Sequence, residues 1–99
     1  MSDDGWSKEA RALVAEREAT HGPFPCTAAV AQQIKTALRW GAGERWHEMP
    51  AEIREALETM ATKMARVVCG DWRHEDHLGD VGGYAFLARA TINGRDDDG

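Results

Sequence analysis

Three glutamates, Glu52, Glu55 and Glu58, recur at every third position of a stretch whose other side is apolar. Carboxylates at i and i+3 leave a helix in similar directions and can share one divalent cation. Eighteen residues separate Glu58 from His77, which forms a second i, i+3 pair with Asp80. Lys63 and Arg66 follow the glutamates, and Tyr84 follows Asp80 by four. Two chemistries fit these types. Glu55, Glu58 and Asp80 suit Mg²⁺ or Mn²⁺, which take hard oxygen ligands. Lys63, Arg66, His77 and Tyr84 suit a phosphorylated ligand, with cations for the phosphate charge and an aromatic ring for a base. A third account needs no ligand, because early glutamates and later cations also favour the helix dipole and form a solvated face.

Other patterns carry less. His21 sits in Thr20-His21-Gly22 ahead of Pro23 and Pro25, and reads as part of a rigid turn. His74 and His77 have no companion cysteines, so a structural zinc site is not expected. No Ser/His/Asp or Cys–His arrangement and no phosphate-cradling glycine loop can be assembled. Gly79, Gly82 and Gly83 fall inside a helical pattern, not between a strand and a helix, which excludes a dinucleotide fold. Cys26 and Cys69 have small or apolar neighbours and read as buried, reduced thiols. The net charge of −5 gives no basic footprint for direct nucleic-acid binding.

These residues require helices to position them. Ninety-nine residues, 42% hydrophobic and 29% charged, fit one globular domain with a modest core. Four stretches show helical periodicity and none reads as a strand. Ser7 is placed to cap the first, which stops at the Gly22-Pro23 turn. Thr27 is placed to cap the second, where Val30, Ile34 and Leu38 recur and Gly41 and Gly43 follow. Pro50 and Gly70 bracket the third, with Ile53, Ala56, Leu57, Met60, Met64, Val67 and Val68 on one apolar arc. The fourth runs from about His74 to Ile92 and is expected to bury Leu78, Val81, Ala85, Ala88 and Ile92, its glycines allowing close packing. The expected fold is all-α, a four-helix domain over 7–92 whose two C-terminal helices form an antiparallel hairpin. Residues 1–6 and the acidic stretch 93–99 are expected to be disordered ends. No apolar run is long enough for a membrane span and the first residues lack an apolar h-region, so a cytoplasmic protein is expected. The small size makes a homo-oligomer the expected assembly.

Several blocks look familiar as well. Glu16-Arg17 with Thr20-His21-Gly22, then Glu55-Ala56-Leu57-Glu58 with Met60, Lys63, Ala65-Arg66 and Gly70-Asp71, then Asp80 with Gly83-Tyr84-Ala85, occur in that order. Together they resemble a family of small bacteriophage and prophage proteins classed as a domain of unknown function, over about Arg11 to Ile92. The resemblance implies a phage-derived helical protein of a bacterial host cell, with no established activity. The ExxE–18–HxxD spacing is similar to the ExxE…ExxD arrangement of MazG-like all-α NTP pyrophosphohydrolases. That likeness implies a Mg²⁺-binding carboxylate set facing a triphosphate. His77 stands where the pattern has a carboxylate, which removes a charge and softens the site. Non-catalytic binding of a nucleotide or other phosphorylated small molecule is therefore the expected function, ahead of hydrolysis. A protein–protein inhibitor of a host factor, of an anti-defence kind, is the alternative, as is a degenerate metal-dependent pyrophosphohydrolase.

Overall fold

Helix boundaries in this chain follow the chemistry of serine, proline and glycine at each junction. The computed structural model describes residues 7–98, with side chains through residue 94. It is all-α: α1 (Lys8–His21), α2 (Phe24–Ala42), α3 (Arg45–Glu48), α4 (Ala51–Cys69) and α5 (Glu75–Asp98). The expected disorder of residues 1–6 and the placement of Trp6 lie outside the described residues. Ser7 caps α1 by accepting from the Ala10 N–H at 3.0 Å, as its position requires.

The second junction differs from expectation. Pro23, not Thr27, is the N-cap of α2, and Pro25 lies within its first turn. A helix start tolerates proline because the missing N–H would have no intrahelical partner there. Thr27 is buried inside the helix instead. Its hydroxyl lies 3.0 Å from the His21 carbonyl and 3.2 Å from the Pro23 carbonyl, sharing one proton between them. A fifth element, the single turn α3, joins α2 to α4 and buries Trp46. The helix α5 passes Ile92 and continues to Asp98 through most of the expected tail. No proline interrupts that stretch, and each added residue gains a backbone hydrogen bond.

α4 and α5 form the expected antiparallel hairpin, and α2 packs along the other flank of α4. The buried residues of α4 are Ala56, Ala61 and Ala65, and α2 adds Ala31. Small side chains bring helix axes close, so both neighbours sit tightly on α4. This corrects two expected cores. Met64 and Val68 stand 38% and 71% exposed, and Leu78 and Ile92 are also exposed, because neither neighbour covers that side of the hairpin. Cys26 is exposed and Cys69 half-buried, and both thiols are free.

The close backbone approach occurs at a different pair of glycines from those expected. A Cβ on Gly79, Gly82 or Gly83 would meet nothing, whereas one on Gly70 would collide with the Thr20 and His21 backbone. Gly22, at φ 87°, sits equally close to the Cys69 carbonyl. The Gly22 and Gly70 turns thus interlock, and the Asp71 N–H donates to the Thr20 carbonyl at 2.9 Å. Gly70→Ala should destabilise the protein by about 1–3 kcal/mol through this overlap. Gly83→Ala should stabilise it by up to ~1 kcal/mol, since alanine is the better helix former and has room. Urea midpoints of the two variants check the pair, and an unshifted Gly70→Ala midpoint would show that the turns do not interlock.

Candidate functional site

Periodicity along α4 divides it into three sides. Glu58, Ala61 and Ala65 share the flank facing α2, and the Arg39 guanidinium of α2 pairs with Glu58 at 2.9 Å. Ala56 and Lys63, seven residues apart, share the flank facing α5, and Lys63 pairs with Asp80 of α5 at 2.9 Å. Between these flanks Glu55, Thr59, Thr62 and Arg66 run in a row at steps of four, three and four. They floor an open cleft of about 470 Å³, walled by Lys35 of α2 and Tyr84 of α5, with Glu58 and Lys63 at its edges.

Five of the seven expected site residues therefore meet in one cleft: Glu55, Glu58, Lys63, Arg66 and Tyr84. Asp80 stands at its rim, held by Lys63. The Lys63 ammonium keeps the Asp80 carboxyl below the usual carboxylate range, first through the hydrogen bond and then through its charge. His77 is placed elsewhere. It is 3% exposed, and its Nε2 lies 3.1 Å from the Thr20 carbonyl. A carbonyl only accepts, so Nε2 carries the proton. The His77 ring is thereby committed to capping the C-terminal end of α1.

The carboxylates named for a metal are engaged with neighbours. Glu58 pairs with Arg39, Asp80 pairs with Lys63, and Glu55 accepts from the Thr59 hydroxyl at 3.2 Å. Among the described residues no three His, Cys, Asp or Glu side chains converge as a ligand set. A cation bound by Glu55, Glu58 and Asp80 together would have to displace both basic partners.

Lys35 and Arg66 contrast with these pairs, since among the described residues neither lies within ion-pair distance of a carboxylate. Lys35 is a residue that reasoning from α4 and α5 alone misses. Its signal is present in the sequence, because Lys35 and Arg39 are four apart on α2, beside the buried Ala31. The cleft and its rim carry four cations, Lys35, Arg39, Lys63 and Arg66, against three carboxylates. That local excess of positive charge sits in a chain of net charge −5.

At the end of α1, His21 and His74 each meet His77 edge to face, with ring centroids 5.0 Å and 4.8 Å from that of His77. His21 Nδ1 is buried without a hydrogen-bond partner. Comparison with protein-family models, curated proteins and solved structures found no match to this chain.

Burial, followed by the charges of Arg66 and His77, lowers the pKa of His21 below its ordinary 6.5. The folded state then binds fewer protons than the unfolded state in the window below pH 6.5. The stability His21 contributes is complete above that value and is lost as pH falls toward the folded pKa. The melting temperature should drop between pH 7 and pH 5.5, and His21→Gln should flatten that drop. Equal slopes in wild type and variant would remove His21 as the cause.

Proposed function

We propose that the cleft over α4 binds a nucleotide or a related phosphorylated small molecule without hydrolysing it. The observation that carries this reading is the convergence of two carboxylate-free cations, Lys35 and Arg66, with Tyr84 at one polar cleft. Phosphate oxygens gain charge-assisted hydrogen bonds from Lys and Arg, and an arginine fork can meet two of them at once. Tyr84 offers a ring face to a base, and the Thr59 and Thr62 hydroxyls add polar contacts on the floor. Glu55 and Glu58 select against any ligand that presents only negative charge. A sugar hydroxyl, or a divalent cation carried in with a triphosphate, would satisfy them. Of the two, Glu55 is the better placed, since its partner is the Thr59 hydroxyl and not a cation.

Binding is favoured over hydrolysis by the ion pairs. A pyrophosphohydrolase needs carboxylates free to hold a metal that orients water against a phosphoryl group. Here Arg39 and Lys63 occupy Glu58 and Asp80, and His77 is turned to the Thr20 carbonyl. A second reading, an inhibitor that docks on a host protein, draws on Trp40 at 86% and Trp72 at 65% exposure, since buried tryptophans commonly anchor interfaces.

Calorimetric titration with ATP, GTP and inorganic triphosphate, with and without Mg²⁺, tests the proposal. At least one nucleotide should bind saturably, and Arg66→Ala or Lys35→Ala should each weaken it by about 1.5–3 kcal/mol, roughly ten- to a hundredfold in Kd. Glu58→Gln should leave binding within about threefold, and no pyrophosphate should be released. Pyrophosphate release abolished by Glu58→Gln would make the protein a hydrolase. Absence of all binding, with Trp40→Ala impairing capture of a defined host protein, would move the function to the second reading.

A further inference from the structure

Among the described residues, Met64, Val68, Leu78 and Ile92 stand exposed on the side of the hairpin opposite the cleft. On α5, Asp80 and Tyr84 lie on the cleft flank of the stripe that faces α4, so Leu78, Val81, Ala85 and Ile92 lie on the other flank. On α4 the row opposite Glu55 and Arg66 is Leu57, Met60, Met64 and Val68. The two rows form one apolar slab, with the exposed Arg89, four residues after Ala85 and three before Ile92, at its edge. Val68 is 71% exposed, Leu78 57%, Ile92 51% and Met64 38%.

Isolated exposed side chains of this kind are ordinary, but a contiguous apolar slab across two helices marks an interface. The chain exposes enough surface for a second copy to cover. The chain exposes 7233 Å², whereas a compact monomer of its mass exposes about 5,600 Å². Its radius of gyration is 16.9 Å, against about 13 Å for a compact domain of this length. The excess of roughly 1,600 Å² exceeds the ~800 Å² that each partner buries in a standard stable interface. Among the described residues no large side chain is fully buried, and the core is Trp46 with four alanines, which a partner chain would extend.

We infer that the slab is covered by the same slab of a second copy of this chain, the two α4–α5 hairpins closing into a four-helix bundle. A two-fold pairing presents each apolar row to its equal, and Arg89 at the edge can keep its guanidinium in water at the rim. Knobs such as Met64, Val68 and Leu78 would then occupy the centre of a bundle of the usual kind. The two clefts would face outward on opposite sides of the dimer, so this assembly is independent of what the cleft binds.

Sedimentation equilibrium of the full chain at micromolar concentration reads the mass directly. The expected species is twice 10.9 kDa. Val68→Glu and Leu78→Glu should each raise the dimer dissociation constant at least about a hundredfold, because each buries an unpaired charge. Phe86→Glu, on the far side of α5 from α4, should leave it within about threefold. If the slab variants unfold as monomers, the wild-type melting temperature must rise with protein concentration, as coupled folding and association demand. A wild-type monomer, a concentration-independent melting temperature, or a dimer broken by Phe86→Glu but not by Val68→Glu, would each overturn the inference.

Discussion

The arrangement of this chain depends on how little side-chain volume lies where α4 meets its neighbours. Ala61 and Ala65 have no exposed surface, and Ala56 and Ala31 are nearly as enclosed. A helix with alanine on two flanks can take a close neighbour on each, and its two remaining sides are then fixed. One is the row of Glu55, Thr59, Thr62 and Arg66, sunk between α2 and α5 as the floor of a cleft. The other is the apolar row of Leu57, Met60, Met64 and Val68, half-buried at its first two residues and exposed at its last two. Larger residues at the alanine positions would push α2 and α5 outward, separating Arg39 from Glu58 and Lys63 from Asp80. The polar cleft and the apolar slab thus share one steric origin.

A second constraint joins the ends of the helices. The last carbonyls of α1 have no intrahelical donors, and the turn between α4 and α5 supplies them. Thr20 accepts from the Asp71 N–H and from the His77 ring, while His21 accepts from the Thr27 hydroxyl of α2. Glycine at both Gly22 and Gly70 lets the two backbones touch. Asp71 also accepts from the Arg73 N–H, which holds the connecting turn in shape. Thr20, His21, Asp71 and His77 are thereby engaged in joining three helices at one point. The enclosed His21 makes that joint sensitive to acid.

The division between cleft and joint explains the placement of chemistry. Arg39 pairs with Glu58 and Lys63 with Asp80, while among the described residues Lys35 and Arg66 have no carboxylate within ion-pair distance. An incoming phosphate would add a partner for these two cations without breaking a pair. A metal ion held by all three named carboxylates would break two, which is the physical reason for proposing an anionic ligand over a bare cation.

Much of this was legible from residue types alone. Ser7, the Gly22-Pro23 turn, Gly43, Pro50 and Gly70 mark helix ends because their effects are local: a hydroxyl cap, a fixed φ, a missing Cβ. The hairpin of the two C-terminal helices and the grouping of Glu55, Glu58, Lys63, Arg66 and Tyr84 follow from spacing, which sets direction around a helix axis. Periodicity also found the apolar rows of α4 and α5. It assigned both to the interior, because an apolar arc carries no information about whether its own chain or another covers it. The tertiary structure decided that Met64, Val68, Leu78 and Ile92 of these rows stand exposed on one side of the hairpin. It brought Lys35 and Arg39 to the cleft from a helix distant in sequence, and gave His77 to the Thr20 carbonyl 57 residues away. Contacts of that range depend on which flank each helix presents to α4, and that choice was made by four alanines whose small volume only a packed neighbour reveals.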